Sequence, residues 1–237
     1  MTTFPKRFQN QSAFVLRHRP YSETSLLVDL FTEKSGRITA IAKGARRLKS
    51  SYRGVLLPFQ SLAVLFTGKG DVKTLTGAEP AGSRILLSRD HLMCGFYLNE
   101  LIIKMLYRYD PYETLYPVYE RALDELSCKL DAEFTLRRFE KHLLEQVGYG
   151  LHLQRDMSTG LPIDEHVLYR YLPEVGPIVN NSSRSDGVLI HGDALIALDQ
   201  EEVFTERVRR ELKQLNRTVL ATHLQGKPLN SRRMYAQ

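Results

Sequence analysis

The amino-acid sequence predicts an α+β protein in which a small five-stranded β-barrel precedes a mostly α-helical domain. Short apolar runs separated by turn residues fill residues 12–79, whereas beyond residue 88 the apolar residues repeat about every 3.6 positions. Positive charge divides in the same place, since residues 1–80 hold 13 Lys and Arg against 5 Asp and Glu. The 237 residues are enough for these two domains, which we expect at residues 1–80 and 81–237.

Five short apolar runs in the first part of the chain are the candidate strands. They cover residues 12–16, 25–32, 37–43, 61–67 and 72–78. A turn is expected at residues 18–21, and Phe14, Phe31 and Phe66 are predicted core residues. Five antiparallel strands in about 70 residues, with a long connection after the third, are typical of an OB-fold barrel. An SH3-like barrel fits nearly as well.

The second part of the chain has the periodicity of amphipathic helices. Helices are predicted at residues 91–108, 112–127, 133–147 and 206–225. Gly148 stands just after the third helix, where a C-cap glycine is expected, and Gly226 stands after the last. Residues 148–192 contain Gly, Pro, Asn and Ser clusters around two short apolar runs, and are predicted to form a loop-rich insert.

Several classes of protein are excluded by what the sequence lacks. No stretch approaches 18 consecutive apolar residues and the N-terminus has no apolar signal core, so we expect a cytoplasmic protein without a membrane span. Cys94 and Cys128 form no metal-binding pair and are predicted to be reduced core residues in helices. No catalytic motif such as GxSxG, HExxH, GxGxxG or a Walker loop is present, so we expect no enzymatic activity.

Basic residues without acidic neighbours mark a candidate nucleic-acid site after the third strand. Eight Lys and Arg residues and no acid lie between Glu33 and Asp71. Phosphate groups are the natural partners of such a field, and Tyr21 and Tyr52, both in predicted connections, are candidates for stacking on unpaired bases. The candidate DNA-binding residues are Lys34, Arg37, Lys43, Arg46, Arg47, Lys49, Tyr52 and Arg53.

Short motifs in a fixed order along the chain resemble one protein family. They are Arg19-Pro20-Tyr21-Ser22-Glu23-Thr24-Ser25, Leu30-Phe31-Thr32 with Gly36, Ala42-Lys43-Gly44-Ala45-Arg46, Leu57-Pro58-Phe59, Leu98-Asn99-Glu100-Leu101, Arg137-Arg138-Phe139-Glu140, Gly148-Tyr149-Gly150 and Gly226-Lys227-Pro228-Leu229-Asn230-Ser231-Arg232. Their order and spacing resemble those of RecO, a family of bacterial recombination mediators, over nearly the whole chain.

The resemblance implies more than the composition does. It implies an N-terminal OB-fold domain that binds single- and double-stranded DNA, anneals complementary strands, and is associated with the nucleoid. It also implies that the protein acts together with RecR, with or without RecF, so that RecA can replace single-strand binding protein (SSB) on the DNA. Many relatives carry a four-cysteine zinc module after the third helix. Residues 148–192 here contain no cysteine, so the chain resembles a zinc-free branch, and we expect neither a metal nor another cofactor. An RNA-binding OB-fold protein and a catalyst are the alternatives.

The third predicted helix is the candidate site for the C-terminal tail of SSB. The resemblance implies a tail that is acidic and ends in an apolar residue with a free carboxylate, and such a peptide needs an apolar slot flanked by cations. Arg137, Lys141 and Leu144 follow each other at i, i+4 and i+7 beside the predicted core face. Arg138 is expected to point further toward solvent. The alternative is that these cations are ordinary helix-surface charges paired with glutamates of the same helix.

Overall fold

The structure is a computed structural model that describes residues 10–82, 85–180, 185–224 and 227–231. Its strands are β1 (Gln11–Tyr21), β2 (Ser25–Thr32), β3 (Gly36–Ala42), β4 (Ser61–Thr67), β5 (Lys73–Pro80), β6 (Leu168–Leu172), β7 (Gly176–Val179) and β8 (Val188–His191). Its helices are α1 (Arg89–Met105), α2 (Leu115–Ser127), α3 (Ala132–Gln146), α4 (Gly192–Gln200) and α5 (Glu206–His223). The chain divides into two compact units, residues 1–129 with 229–237, and residues 130–228.

The first five strands close into a barrel in the order β1-β2-β3-β5-β4, with β4 pairing back to β1. Neighbouring strands are antiparallel except β3 and β5, which run parallel. This is the topology of an OB-fold, and it excludes the SH3-like alternative. The prediction of an α+β chain that begins with an OB-fold barrel is therefore confirmed.

The turn predicted at residues 18–21 is wrong. These residues continue β1, and the chain turns only after Tyr21, which pairs with Ser25 of β2. Pro20 was a turn signal because it has no N–H group for a sheet hydrogen bond. The outer half of β1 has only β2 as a neighbour, since its pairing with β4 ends at Phe14. A strand with one free edge tolerates proline.

Two layers of apolar side chains hold the first unit together. Phe66 lies in the barrel interior with the inward residues of β1, β2 and β3. Phe14 and Phe31 lie on the outside of the barrel, where their rings pack against Tyr116 and Tyr119 of α2 at centroid distances of 5.3–5.8 Å. All three phenylalanines are buried, as predicted. Helix α2 thus covers part of the outer face of the barrel.

The ends of the predicted helices agree with the structure in part. Gly148 follows α3 with a φ of 83°, the left-handed conformation of a C-cap glycine. Gly226, expected at the end of the last helix, and Arg232 of the last family motif lie outside the described residues.

Cys94 is buried in α1, but Cys128 is exposed at the C-cap of α2, so its prediction as a core residue is wrong. No described helix is long and apolar enough to cross a membrane.

Residues 148–192 contain more regular structure than predicted, including the antiparallel sheet β7-β6-β8. Hydrogen bonds organise the segment before this sheet. The buried carboxylate of Asp156 accepts bonds of 2.7–2.9 Å from Ser158 and Thr159. Burial alone would raise the pKa of Asp156, but these bonds lower it. Helix α4 follows directly after β8. It was not predicted because its nine residues are too few to establish the 3.6-residue periodicity of apolar side chains.

Candidate nucleic-acid interface

The connection between β3 and β4 is a series of tight turns. Backbone hydrogen bonds of 3.0–3.2 Å run from the amide of Arg47 to Gly44, from Ser50 to Arg47 and from Arg53 to Ser50. Gly44 has a φ of 69°, which a residue with a side chain rarely adopts, so the first turn depends on glycine. The backbone groups bond each other, and the long basic side chains are exposed. The guanidinium groups of Arg46 and Arg53 donate to the backbone carbonyl oxygens of Ser22 and Leu48 at 3.4 and 3.3 Å.

Three contacts hold this connection on the barrel. The backbone amide of Arg46 donates to the carbonyl oxygen of Thr24 at 2.8 Å, in the turn between β1 and β2. Ala45 and Leu56 are buried in the barrel core cluster. The hydroxyl of Tyr52 donates to the carbonyl oxygen of Leu75 at 3.0 Å. The connection is therefore a fixed surface on the barrel.

Five of the predicted DNA-binding residues share this surface, which we call the basic connection. They are Lys43, Arg46, Arg47, Lys49 and Arg53, and all five are exposed. Among the described residues, no carboxylate lies within 4.0 Å of their charged groups. Their mutual repulsion is therefore not neutralised within the described chain, which favours the binding of a polyanion.

Tyr52 lies in the basic connection, but its ring is half-buried, whereas an open ring was expected for stacking on a base. Its ring packs against the barrel core, and burial raises the pKa of its hydroxyl, which remains protonated and bonded at neutral pH. Its contact with a base stays a prediction. Tyr21 at the end of β1 is 47% exposed and offers the more open ring beside the same turn.

Lys34 and Arg37 are not brought to the basic connection. Lys34 lies in the turn between β2 and β3, and Arg37 at the start of β3, whereas Lys43 follows the end of that strand. Lys43 comes six positions after Arg37 along the strand, which corresponds to about 20 Å. The Nε of Arg37 donates to the carbonyl oxygen of Leu106 at 3.2 Å, after helix α1. The eight predicted residues therefore occupy two ends of the barrel.

The outer face of β1, β2 and β3 joins these ends, and the sequence analysis missed its residues. Arg19 pairs across the sheet with Leu27, and Leu27 with Ile41, so the three side chains share that face. Arg19 is exposed, and the other two are half-buried. This face of an OB-fold is the usual place for oligonucleotides. The sequence signal for this face is the alternation of Arg17, Arg19 and Tyr21, which is typical of a strand. The prediction of a turn at residues 18–21 prevented these residues from being read as part of β1.

A buried carboxylate organises the middle of the same face. Asp29 accepts hydrogen bonds from Arg17 Nε at 2.6 Å and from the Thr39 hydroxyl at 2.5 Å. Burial would raise the pKa of Asp29, but the bonds from Thr39 and Arg17 lower it below its usual range. Arg17 is thus held in place by Asp29 while half of its side chain stays exposed.

The candidate residues on α3 are placed differently from the prediction. Arg138 was expected to point toward solvent, and this is wrong, because it is 2% exposed with its guanidinium over the ring of Phe134. Arg137 is also buried and donates to the Glu140 carboxylate at 2.9 Å. The second oxygen of Glu140 accepts from Asn216 of α5 at 2.7 Å. These charges lie where α3 packs against other helices of its unit, a face that the heptad-like spacing did not identify.

Lys141 and Leu144 complete the α3 set. Leu144 is fully buried. The ammonium group of Lys141 donates to the carbonyl oxygens of Leu198 and Asp199 at 3.2 and 2.8 Å, at the end of α4. It also pairs with the carboxylate of Glu201 at 3.4 Å and borders a pocket of about 450 Å³, whose lining includes Leu151. Of the four α3 residues, Lys141 is the one that reaches open space.

The described residues contain no cluster of potential metal ligands. Within residues 10–82, 85–180, 185–224 and 227–231, no three His, Cys, Asp or Glu side chains are placed to hold a metal ion.

Comparison with known proteins agrees with the barrel topology. Residues 7–84 match the family model of the recombination protein O N terminal domain, and residues 86–233 match that of the recombination protein O C terminal domain. The DNA repair protein RecO of Nitrosospira multiformis is 42% identical over 99% of this chain and 97% of its own length. The DNA repair proteins RecO of Haemophilus influenzae and Methylococcus capsulatus are 42% and 40% identical, over 96% and 98% of this chain and 95% and 94% of their own lengths. The chain therefore belongs to the recombination protein O family, the family of the DNA repair proteins RecO.

Proposed function

We propose that this chain is a DNA-binding recombination mediator without enzymatic activity. It binds single- and double-stranded DNA, anneals complementary strands and, with RecR and with or without RecF, helps to load RecA onto SSB-coated single-stranded DNA. The observation that carries the proposal is the basic connection, in which five exposed cations have no described carboxylate within 4.0 Å. Phosphates of a nucleic acid supply the missing negative charge without regard to base sequence.

The two parts of the chain have separate roles in this proposal. Residues 1–80 form the nucleic-acid-binding domain, because the barrel and the basic connection lie within them. Residues 81–237 form the helical domain, which carries nearly balanced charge and contacts protein partners. DNA contact at the connection extends across the outer face of β1 and β2, where Tyr21 and Leu27 offer surfaces to unpaired bases.

The SSB tail is proposed to bind beside Lys141. The pocket at this lysine has Leu151 and Met157 as apolar lining and Arg155 as a second cation, alongside the carboxylates of Glu145 and Asp199. The two cations and the apolar side chains are the groups that would receive an acidic peptide that ends in an apolar residue. The other candidate residues of α3 do not contact the tail in this proposal. They are the buried side chains of Arg137, Arg138 and Leu144, which pack α3 against the rest of its compact unit. Removal of Lys141 is therefore the sharpest test of tail binding, because the neighbouring arginines are buried.

Strand annealing tests the proposal as a whole. Two complementary oligonucleotides are coated with SSB, mixed with the chain, and followed by the fluorescence energy transfer between labels on the two strands. We expect faster annealing with the wild-type chain than with SSB alone, and slower annealing with the Lys141→Ala variant. A clear preference for RNA over DNA would favour the RNA-binding alternative. Metal- or nucleotide-dependent turnover of the oligonucleotides would show that the chain is an enzyme.

A further inference from the structure

The segment that follows α1 lies against the end of the barrel that carries Arg37. Two hydrogen bonds connect it to β3: the Nε of Arg37 donates to Leu106 at 3.2 Å, and the amide of Tyr109 donates to the carbonyl oxygen of Arg37 at 3.0 Å. Gly36 is in direct contact with the segment, since a Cβ there would lie 1.7 Å from the carbonyl oxygen of Asp110. The segment is therefore packed on the barrel without room for a side chain between them.

Tyr109 is the anchor of this segment. Its φ of 61° is in the left-handed region, which is unfavourable for a residue with a bulky side chain. Its ring lies 4.5 Å from the ammonium group of Lys73, and its hydroxyl donates to the carbonyl oxygen of Asp71. These contacts hold the strained backbone in one conformation. Strain of this kind is often kept where it places a neighbouring residue for binding.

The residues placed by this anchor are Tyr107 and Arg108. Tyr107 is 76% exposed, although its backbone amide is held by the hydroxyl of Tyr112 at 3.3 Å. Arg108 is exposed, and its backbone pairs with that of Arg37. Burial lowers the pKa of Arg37 and the nearby positive charge of Arg108 lowers it further, while the negative charge of Asp29 opposes this shift. The backbone bridge therefore brings two positive charges to this end of the barrel, and the exposed Tyr107 precedes Arg108 in the chain.

The charges around this ring favour an anionic ligand. Among the described residues, no carboxylate lies within 4.0 Å of the guanidinium groups of Arg37 or Arg108, although the charge of Asp29 acts on Arg37 and Asp71 and Asp110 belong to the same end of the barrel. Lys34 adds an exposed cation in the adjoining turn. A phosphate bound between the two arginines would relieve their repulsion, and the open ring offers a stacking surface to the base attached to that phosphate.

We infer that Tyr107, Arg108 and Arg37 form a second site for unpaired nucleic acid, at the opposite end of the barrel from the basic connection. The two guanidinium groups bind a backbone phosphate, and the Tyr107 ring stacks on a base. This inference rests on the proposed function, because it assumes that the chain binds single-stranded DNA. The distance of about 20 Å along β3 keeps the second site separate from the first. A mediator with two such sites can hold two stretches of unpaired DNA at once.

A single tryptophan tests the site directly, because the chain contains none. In the Tyr107→Trp variant the indole is the only tryptophan, and a stacked thymine base quenches its fluorescence. We expect oligo(dT) to quench this variant and also Leu48→Trp, which places the indole at an 84% exposed position in the basic connection. Val203→Trp, at an 86% exposed position in the other compact unit, is the matched control that should stay unquenched.

The three variants separate the possible failures. Quenching of Leu48→Trp without quenching of Tyr107→Trp would overturn the second site and leave the proposed function intact. Quenching of neither would contradict the proposed function itself. Equal quenching of all three, Val203→Trp included, would show non-specific binding and overturn the second site.

A paired substitution tests the stacking contact independently of fluorescence. Tyr107→Ala should weaken binding of oligo(dT) about 5-fold or more, whereas Tyr107→Phe keeps the ring and should bind as the wild-type chain does. Circular dichroism checks that both variants are folded, as we expect for an exposed position. Equal affinity of the Ala and Phe variants would show that the ring does not stack on a base.

Discussion

The backbone amide of Arg46 donates a 2.8 Å hydrogen bond to the carbonyl oxygen of Thr24. This bond joins the basic connection to the turn between β1 and β2. The guanidinium of Arg46 also donates to the carbonyl oxygen of Ser22 at 3.4 Å, so this cation lies at the turn that follows the exposed Tyr21. A free loop would lose conformational entropy when it bound a phosphate backbone. A connection already held on the barrel loses less, which leaves more of the electrostatic attraction for binding.

Tyr52→Phe separates a structural role of Tyr52 from a stacking role. The substitution removes the hydroxyl that bonds Leu75 and keeps the aromatic ring. We expect the free energy of unfolding to fall by about 1 kcal/mol, with little change in affinity for single-stranded DNA. Urea unfolding and fluorescence anisotropy of a labelled oligonucleotide measure the two quantities. An unchanged stability would contradict the assigned hydrogen bond.

The carboxylate of Glu100 binds the C-terminal segment of its own compact unit. It accepts bonds of 2.7–2.9 Å from the amide and hydroxyl of Ser231 and from the amide of Asn230, and it pairs with Lys104 at 2.9 Å. Burial alone would raise the pKa of Glu100, but the bonds from Ser231, Lys104 and Asn230 lower it to about 2. A lowered pKa means that the ionised form is the one bound in the folded state.

Glu100→Gln should therefore change the dependence of stability on pH. The ionised carboxylate stabilises the fold fully above its usual pKa near 4.5, and this stabilisation is lost as the pH falls toward 2. We expect the wild-type chain to be more stable than the variant by about 1–3 kcal/mol at pH 7, with a difference that shrinks below pH 4.5. Denaturant unfolding at several pH values measures this difference. A difference that stayed constant between pH 7 and pH 3 would disagree with the account.

Arg137→Ala should strongly destabilise the compact unit formed by residues 130–228. The substitution removes a cationic partner from the buried carboxylate of Glu140, so we expect a loss of about 3 kcal/mol. Arg210→Ala, at an exposed position of α5, removes the same charge and should cost less than about 0.5 kcal/mol. Thermal unfolding compares the two. Equal melting temperatures would mean that Arg137 is a surface charge after all.

Removal of metal should have no effect on this chain. Residues 148–192 contain no cysteine, and Asp156 and its hydroxyl partners organise the segment by hydrogen bonds. We expect a strong chelator to leave both the melting temperature and DNA binding unchanged. Elemental analysis provides the counter-test, because stoichiometric zinc whose removal unfolds the protein would refute this expectation.

The sequence predicted the barrel well because its signals are local. Alternating apolar residues and turn residues act over a few positions, and they place each of the five strands within a few residues of its observed start. The extension of β1 through Pro20 was missed because it depends on which strand pairs with which. That information is tertiary, and so is the position of Tyr107 and Arg108 next to Arg37, which lies about 70 positions earlier in the chain.

The cations of the candidate sites were predicted with unequal success for a related reason. Those of the basic connection are exposed as expected, because their segment contains no acid that might pair with them. The periodicity of α3 indicated one apolar face, yet Arg138 is buried on another side of the helix. A helix enclosed on several sides buries charges when partners such as Glu140 satisfy them, and a hydrophobic pattern alone does not reveal those partners.

The dependence of DNA affinity on salt tests the role of the basic connection most directly. The triple variant Arg46→Ala, Arg47→Ala, Lys49→Ala removes three proposed phosphate contacts, and a second triple variant at the exposed residues Arg89, Arg121 and Lys129 removes the same charge elsewhere in the unit. Affinity for oligo(dT) is measured by anisotropy from low to high salt, with the fold checked by circular dichroism. We predict that the first variant binds more weakly and that its plot of log affinity against log salt is flatter by about 2, while the control keeps the wild-type slope. A first variant with wild-type affinity at low salt and an unchanged slope would contradict the assignment of the basic connection to DNA.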